Sequence, residues 1–304
     1  MKLNMSSGKW KKWLFYGCLI VLPLLQFAVM YVGVNFNSLI MAFRSYDFET
    51  DHWGWVGFQN FKDIFYDIGR LPTLQTGFLN SIIVWLIGLV VSLPLGIIFA
   101  YYIYKKFFGY KAFRVLLFLP SIISASILMI IFKYYADTFL PSVVNRIFGT
   151  EYFGFLSDKK TQFTTIMVFN IFIGFGVSVL MYTGAMNNIS ESVIEAGRLD
   201  GVNTLQELLF IILPQILGTV SVFVVTGISG IFTNQLNLFS IYHVHADTKL
   251  YTIGYFLYRN VFLAGESYAS YPYNAALGVF ITIIIAPIIF GVKKLFKIID
   301  PMEN

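Results

Sequence analysis

Six apolar stretches, each long enough to cross a bilayer, dominate this chain and leave few folds open to it. They cover residues 13–40, 79–104, 115–135, 161–183, 208–231 and 275–292. A helix rising about 1.5 Å per residue needs about 20 residues to span a hydrocarbon core of about 30 Å. In that core every backbone N–H and C=O must find a partner within the protein, so continuous apolar runs of this length predict helices. The expected architecture is an all-α membrane protein with six transmembrane helices, a single transmembrane domain over residues 1–304. Composition agrees, since 57% of residues are hydrophobic and only 12% are charged, about half the charged share of an ordinary soluble domain. Water cannot cover such a surface, which sets aside soluble enzymes, nucleic-acid binders and disordered chains.

The formal net charge is +5, yet no Lys/Arg run is long enough to track a phosphate backbone. The basic residues punctuate the apolar stretches instead, as topology signals do. Cys18 stands alone and cannot close an intrachain disulfide. His52, His243 and His245 lack the Cys or HExxH partners of a metal site, so no metal is expected. Lys9, Lys11 and Lys12 before the first stretch resemble the start of a signal peptide. The stretch is too long for one and no small-x-small cleavage site follows, so it is read as a retained span.

Orientation follows from basic residues outside the spans. With the N-terminus inside, the inner segments hold Lys2, Lys9, Lys11 and Lys12, then Lys105, Lys106, Lys111 and Arg114, then Arg198, and finally Lys293, Lys294 and Lys297. The outer basic residues are fewer and lie in longer loops, which places both termini in the cytoplasm. Outer loop 44–70 mixes Asp47, Glu49, Asp51, Asp63 and Asp67 with Trp53, Trp55, Phe58, Phe61 and Phe65. Two readings fit it: an interfacial anchor, or a docking surface for an extracytoplasmic partner.

The inner loop 186–207 is longer than a plain helix–helix connection needs. Ser192 with Glu195 has capping-box spacing, and Ser190 is an alternative N-cap. Ile189, Val193, Ala196 and Gly197 recur at helical spacing as an apolar, small-residue face, and Gly201 marks the stop. Glu195 and Arg198, at i and i+3, are spaced to pair. Such a helix either docks on a protein or lies on lipid. Its single basic residue argues against an anionic-lipid anchor. Within or beside the spans, Asn80, Asn170, Ser178, Thr226, Ser229 and Asn234 are polar. Such residues serve either a water-filled path or interhelical hydrogen bonds. Asn170 with Gly174 one turn on would set an amide beside a surface open to close approach.

Glu195-Ala196-Gly197, followed by Gly201, Ile211 and Leu213-Pro214, resembles the EAA signature of binding-protein-dependent ABC transporter permeases. Gly197 departs from the usual second alanine, a change that weakens a helix by about 1 kcal/mol. Asp200-Gly201 is similar to the "DG" of the carbohydrate-uptake branch, the maltose, glycerol-3-phosphate and multiple-sugar type. Val56-Gly57-Phe58-Gln59-Asn60-Phe61 and Phe113-Arg114 with Phe118-Leu119-Pro120 resemble further segments of that branch, as does Thr252-Ile253-Gly254-Tyr255. The branch's frequent "TxGGP" segment is absent, and Tyr242–Lys249 stands in its place.

The resemblance implies the fold of a type I ABC importer permease in a bacterial cytoplasmic membrane. It implies half of a translocation path for a sugar or oligosaccharide, shared with a second permease subunit. A cytoplasmic ABC ATPase dimer would receive the helix carrying Glu195, Ala196, Gly197, Arg198, Asp200 and Gly201. An extracytoplasmic sugar-binding protein would deliver substrate. The substrate path would include Asn170 and Gly174, with Thr226, Ser229 and Asn234 on a second helix. No GxxxxGK[ST] loop is present, so the chain is not expected to be an enzyme, and ATP-Mg would bind the partner ATPase. The alternative is a secondary transporter or channel working alone. No span carries a carboxylate, Lys or Arg near its centre to couple ions. A membrane-embedded transferase or hydrolase lacks a GxSxG elbow or a His/carboxylate cluster.

Overall fold

A computed structural model describes residues 7–47, 49–264 and 270–299. Lys2, one of the residues used for orientation, lies outside them. In chain order the elements are α1 (Trp10–Met41), strands β1 (Arg44–Asp47) and β2 (His52–Trp55), α2 (Gln59–Ile68) and α3 (Pro72–Tyr104). There follow α4 (Tyr110–Ile122), α5 (Ala125–Phe148), α6 (Gln162–Asn187) and α7 (Glu191–Leu199). Then come α8 (Thr204–Gln215), α9 (Leu217–Ser229), α10 (Leu238–Tyr242), α11 (Ile253–Ala264) and α12 (Ser270–Ile299). Helices α1, α3, α5, α6 and α12 are each long and apolar enough to span a membrane, and α8 with α9, bent by 73°, is long and apolar enough for a sixth when the pair is taken as one broken span.

The bend has a local cause. Pro214 has no N–H to donate, and Ile216 leaves helical geometry (φ −99°, ψ 8°) before α9 resumes. The third span differs from its expected bounds of 115–135. Pro120 lies within α4, and Ile123 and Ser124 are extended. The break divides the apolar run, and the membrane-length helix is Ala125–Phe148. Hydropathy did not register it because Ile122 and Ile123 are as apolar as their neighbours. The extended backbone at Ile123 and Ser124, with Ser124 as the N-cap of the next helix, sets the break instead.

Two compact units divide the chain: Met1–Tyr66 with Ala264–Phe280, and Asp67–Leu263 with Ile281–Asn304. In the first, none of the most apolar window of α1 is buried within the chain, so lipid or another subunit must cover it. Loop 44–70 holds the only strands among the described residues, an antiparallel hairpin pairing Arg44 with Trp55 and Asp47 with His52. The Phe43 ring stacks on Trp55 at 5.8 Å and meets Phe58 and Phe61 edge-on or tilted. The Asn60 amide donates to the carbonyls of Ala42 (2.8 Å) and Arg44 (2.9 Å), tying α2 to the hairpin's base.

In the second unit α3 and α6 pack through small residues. A Cβ on Gly96 would sit 3.5 Å from Tyr182, itself 1% exposed. Tyr101, Phe175, Val179, Met186, Ile194, Leu208 and Ile212 complete the core there. At the other end of α3, the Asn80 amide donates to the carbonyls of Lys249 (2.8 Å) and Tyr251 (2.9 Å). Ser81 Oγ accepts the Ile253 N–H (3.0 Å), and Thr252 Oγ1 donates to the Asn234 carbonyl (2.7 Å). Gly254 approaches so closely that a Cβ would lie 2.5 Å from the Thr233 carbonyl oxygen. The Thr252-Ile253-Gly254-Tyr255 segment is therefore a structural knot. His243 and His245 are exposed in the preceding loop. Asp247 in that loop accepts the Lys249 N–H (3.0 Å) and pairs with Lys159 (3.2 Å). These contacts, the backbone donor foremost, hold its carboxyl below the usual carboxylate range.

Candidate functional site

Helix α7 is short and stands at the surface between two membrane-length elements. Its N-cap is Ser190, extended at φ −60° and ψ 131°, whose Oγ meets Ser192 Oγ at 2.7 Å and caps no backbone N–H. The expected Ser192–Glu195 capping box does not form, because the helix already begins at Glu191 and Ser192 lies inside it. A capping box occurs instead at the start of α8. There Asn203 Oδ1 accepts from Leu205 N (3.1 Å) and Gln206 N (3.0 Å), and Gln206 Oε1 accepts from Asn203 N (3.0 Å). Gly201 adopts φ +79°, a left-handed turn that favours glycine after a helix C-terminus.

The faces of α7 divide differently from the expected stripe. Ile194 and Gly197 turn inward, while Val193, Glu195, Ala196, Arg198 and Asp200 are exposed. Glu195 and Arg198 form no ion pair in the described structure, so both remain available to a partner. Leu199 is 89% exposed at the helix end. Gly197 also finds its reason here: an added methyl would overlap Ile211 Cδ1. The isoleucine of the same motif occupies the space that a second alanine would need.

Behind α7 lies a polar cluster that sequence reading missed. Lys105 Nζ donates to both Glu207 carboxylate oxygens at 2.8 and 2.9 Å, with the two side chains 17% and 6% exposed. Tyr101 Oη reaches Glu207 Oε1 (3.3 Å) and the Thr204 carbonyl (3.2 Å). The end of α3 is thereby fastened to the start of α8. The available signal was an acidic residue entering an apolar run, which needs a buried counter-charge.

A cavity of about 400 Å³ opens between α3, α6 and α9. Trp85, Phe175, Tyr182 and Phe223 give it aromatic walls, and Gly88, Gly174, Gly227 and Gly230 give it room. Ser81, Ser92, Ser178, Thr233 and Asn234 bring polar atoms, and no ionisable acid or base other than tyrosine lines it. Of the residues singled out from sequence, Gly174, Ser178 and Asn234 line this cavity. Asn170 stands outside the lining. Its amide donates to the carbonyls of Ile166 (2.9 Å) and Leu236 (3.3 Å), and its Oδ1 accepts from Asn237 (2.9 Å). Thr226 and Ser229 are exposed on α9 outside the lining, and Ser229 Oγ donates to the Val225 carbonyl (2.9 Å). Gly88 on α3 and Gly227 and Gly230 at α9 were the overlooked sign of the cavity.

Membrane-length helices around a mostly apolar, aromatic-walled cavity with a few polar atoms, and a short helix displayed at one end, define a polytopic membrane protein. Residues 92–302 match the family described as "Binding-protein-dependent transport system inner membrane component", and the chain belongs to that family. It is 24% identical to Protein LplB of Bacillus subtilis over 97% of this chain and 92% of LplB. It is 24% identical to the arabinooligosaccharides transport system permease protein AraP of Bacillus subtilis, over 86% of this chain and 82% of AraP. It is 21% identical to the multiple sugar-binding transport system permease protein MsmF of Streptococcus mutans, over 94% of each chain. A bacterial ABC transporter involved in import of the acidic polysaccharide alginate shares the fold. It aligns with TM-score 0.76 and 20% identity over 94% of this chain and 96% of that one.

Proposed function

We propose that this chain is a permease subunit of an ATP-driven importer for a sugar or oligosaccharide, with both termini in the cytoplasm. In this reading α7 seats in a separate ATPase subunit, presenting Glu195, Ala196, Arg198 and Asp200. Gly197 lets the helix lie against Ile211, and Gly201 turns the chain back toward α8. The observation that carries the reading is the construction of α7: one face held by the core, the other displaying unpaired charges. ATP-Mg belongs to that partner, and no cofactor is assigned to this chain. Closure of the ATPase pair would move α7, and the Lys105–Glu207 fastening would pass the motion to α3 and α8. Alternating access then follows as a shift between two arrangements of packed helices.

Sugar as cargo is supported by the names of AraP and MsmF and by the cavity's chemistry. Aromatic faces suit sugar rings, and serine, threonine and asparagine suit hydroxyl groups. We assign Gly174, Ser178 and Asn234 to the path in this half. Asn170 would act from behind, through the Leu236 carbonyl and the Asn237 side chain that follow Asn234, and Thr226 and Ser229 would act on the exposed side of α9. A second permease subunit would complete the path and cover α1. An extracytoplasmic binding protein would supply the substrate. A related solved structure holds an alginate importer in complex with an alginate pentasaccharide-bound periplasmic protein.

Uptake in intact cells tests the coupling assignment. Glu195→Lys and Gly201→Asp should abolish import while the permease stays in the membrane and the ATPase fails to co-purify. Normal import by both variants would remove α7 from the coupling role.

A further inference from the structure

The elbow between α3 and α4 has no part in the transport path, yet its chemistry is specific. Lys105 is consumed by Glu207, but Lys106, Lys111 and Arg114 are exposed. No acidic residue lies between Asp67 and Asp137 in the sequence, and among the described residues none of these three cations forms an ion pair. Between them stand Phe107, 41% exposed, and Phe108, 98% exposed. A phenyl ring left almost wholly bare is unfavourable in water.

The elbow is also built rather than loose. Lys106 is left-handed at φ +54° and Gly109 at φ +75°. The backbone closes through Lys106 N to the Ile103 carbonyl (3.1 Å), Phe107 N to the Tyr102 carbonyl (3.3 Å) and Tyr110 N to the Phe107 carbonyl (3.0 Å). The Tyr102 hydroxyl donates to the Phe108 carbonyl. Phe107 leans on the Tyr102 ring at 5.4 Å, which leaves Phe108 as the projecting tip. The elbow sits where α3 ends and α4 begins, at the polar edge of an apolar span.

We infer that this elbow is an anionic-phospholipid site: Phe108 enters the acyl boundary while Lys106, Lys111 and Arg114 bind headgroup phosphates. Three unneutralised cations flanking a bare aromatic tip at a span end fit an anionic interface in both charge and depth. A protein groove would need matching acidic residues and would bury Phe108 away from lipid, and that is the outcome the test must distinguish. The site is independent of which solute crosses, and it lies beside the Lys105–Glu207 pair that holds the α7–α8 loop.

The test uses the full chain with Phe108→Trp, assembled with its transporter partners in vesicles. Brominated phosphatidylglycerol or brominated phosphatidylcholine is present at equal mole fraction, and the signal of the chain without the added tryptophan is subtracted. The added tryptophan should be quenched more strongly by the brominated phosphatidylglycerol. Neutralising any one cation should reduce that preference about fivefold, the effect of removing about 1 kcal/mol of attraction per charge. Combining Lys106→Asn, Lys111→Gln and Arg114→Gln should equalise the two lipids. Lys106→Asn alone suits the left-handed turn and keeps the test available if the triple variant fails to insert. Equal quenching by both lipids with all three cations present overturns the site. So does quenching by neither lipid, which would place Phe108 in water or against protein.

Discussion

The Lys105–Glu207 pair gives the account its sharpest stability prediction. Replacing Glu207 by Gln removes the carboxylate while keeping an acceptor for the Tyr101 hydroxyl. Lys105 Nζ then loses its counter-charge and the 2.9 Å bond to Oε2, keeping only a neutral amide oxygen at the 2.8 Å position, in a site where its own side chain is 17% exposed. Stranding one partner of a buried ion pair costs about 3–5 kcal/mol. The retained tyrosine contact and the partial exposure of Lys105 place this case at the low end, about 3 kcal/mol. At about 1.4 kcal/mol per tenfold change, that is roughly a hundredfold rise in local opening of the segment that follows α7. Amide hydrogen exchange on the purified permease should report it as faster exchange across residues 204–212, with the Asn80–Tyr251 region unchanged. Lys105→Met alone should disturb the same segment. Combined with a Glu207→Leu change it should recover most of the protection, because a matched apolar pair removes both stranded charges. Unaltered exchange in the Glu207→Gln variant, or additive damage in the double variant, would refute the fastening role.

Gly254→Ala should destabilise the permease by about 1–3 kcal/mol, because its methyl must displace Thr233 backbone rather than a side chain; a detergent melting curve reads the loss. Gly197→Ala should be close to neutral in the same assay, since helix propensity improves and the overlapping atom is only the tip of Ile211, and Ile211→Val should make it stabilising. Gly227→Leu, at the cavity wall where an added Cβ would already lie 3.5 Å from the Trp85 indole, should lower uptake without releasing the ATPase; normal import would exclude the cavity from the path. Asp247 has a depressed folded-state pKa, so its stabilising contribution is present above its ordinary value of 3.8 and lost as pH falls below it through the folded value. Lys159 is 75% exposed, so its pairing with Asp247 contributes less than about 1 kcal/mol. Asp247→Asn should remove only that acid-dependent part of the melting profile.

How much of this was legible in sequence depended on the kind of force involved. Burial in lipid is a property of long windows, so the helical spans could be read directly from the apolar runs. The break at Ile123–Ser124 and the 73° bend before α9 were harder to read. They arise from single-residue backbone geometry, at Ile123–Ser124 and beside Pro214, which hydropathy averages away. The hairpin at Arg44–Asp47 escaped because its strands are only four residues each and their aromatic pattern suits an interface equally well. For α7, the motif spacing located the helix and its stop at Gly201, while the buried face depended on tertiary contact between Gly197 and Ile211. Asn80 and Asn170 show the limit most clearly. An intramembrane asparagine signals a polar partner, but only the fold shows that these amides are occupied by backbone carbonyls sixty or more positions away along the chain.

Accessibility of α7 tests the central claim most directly. With Cys18 replaced by Ser, Ala196→Cys places a single thiol on the exposed face of the helix. A membrane-impermeant maleimide should label it in inside-out vesicles and not in intact cells, and bound ATPase subunit should block the labelling. Labelling from outside the cell, or undiminished labelling with the ATPase in place, would contradict the assignment of this helix as the point where another protein's ATP hydrolysis enters the permease.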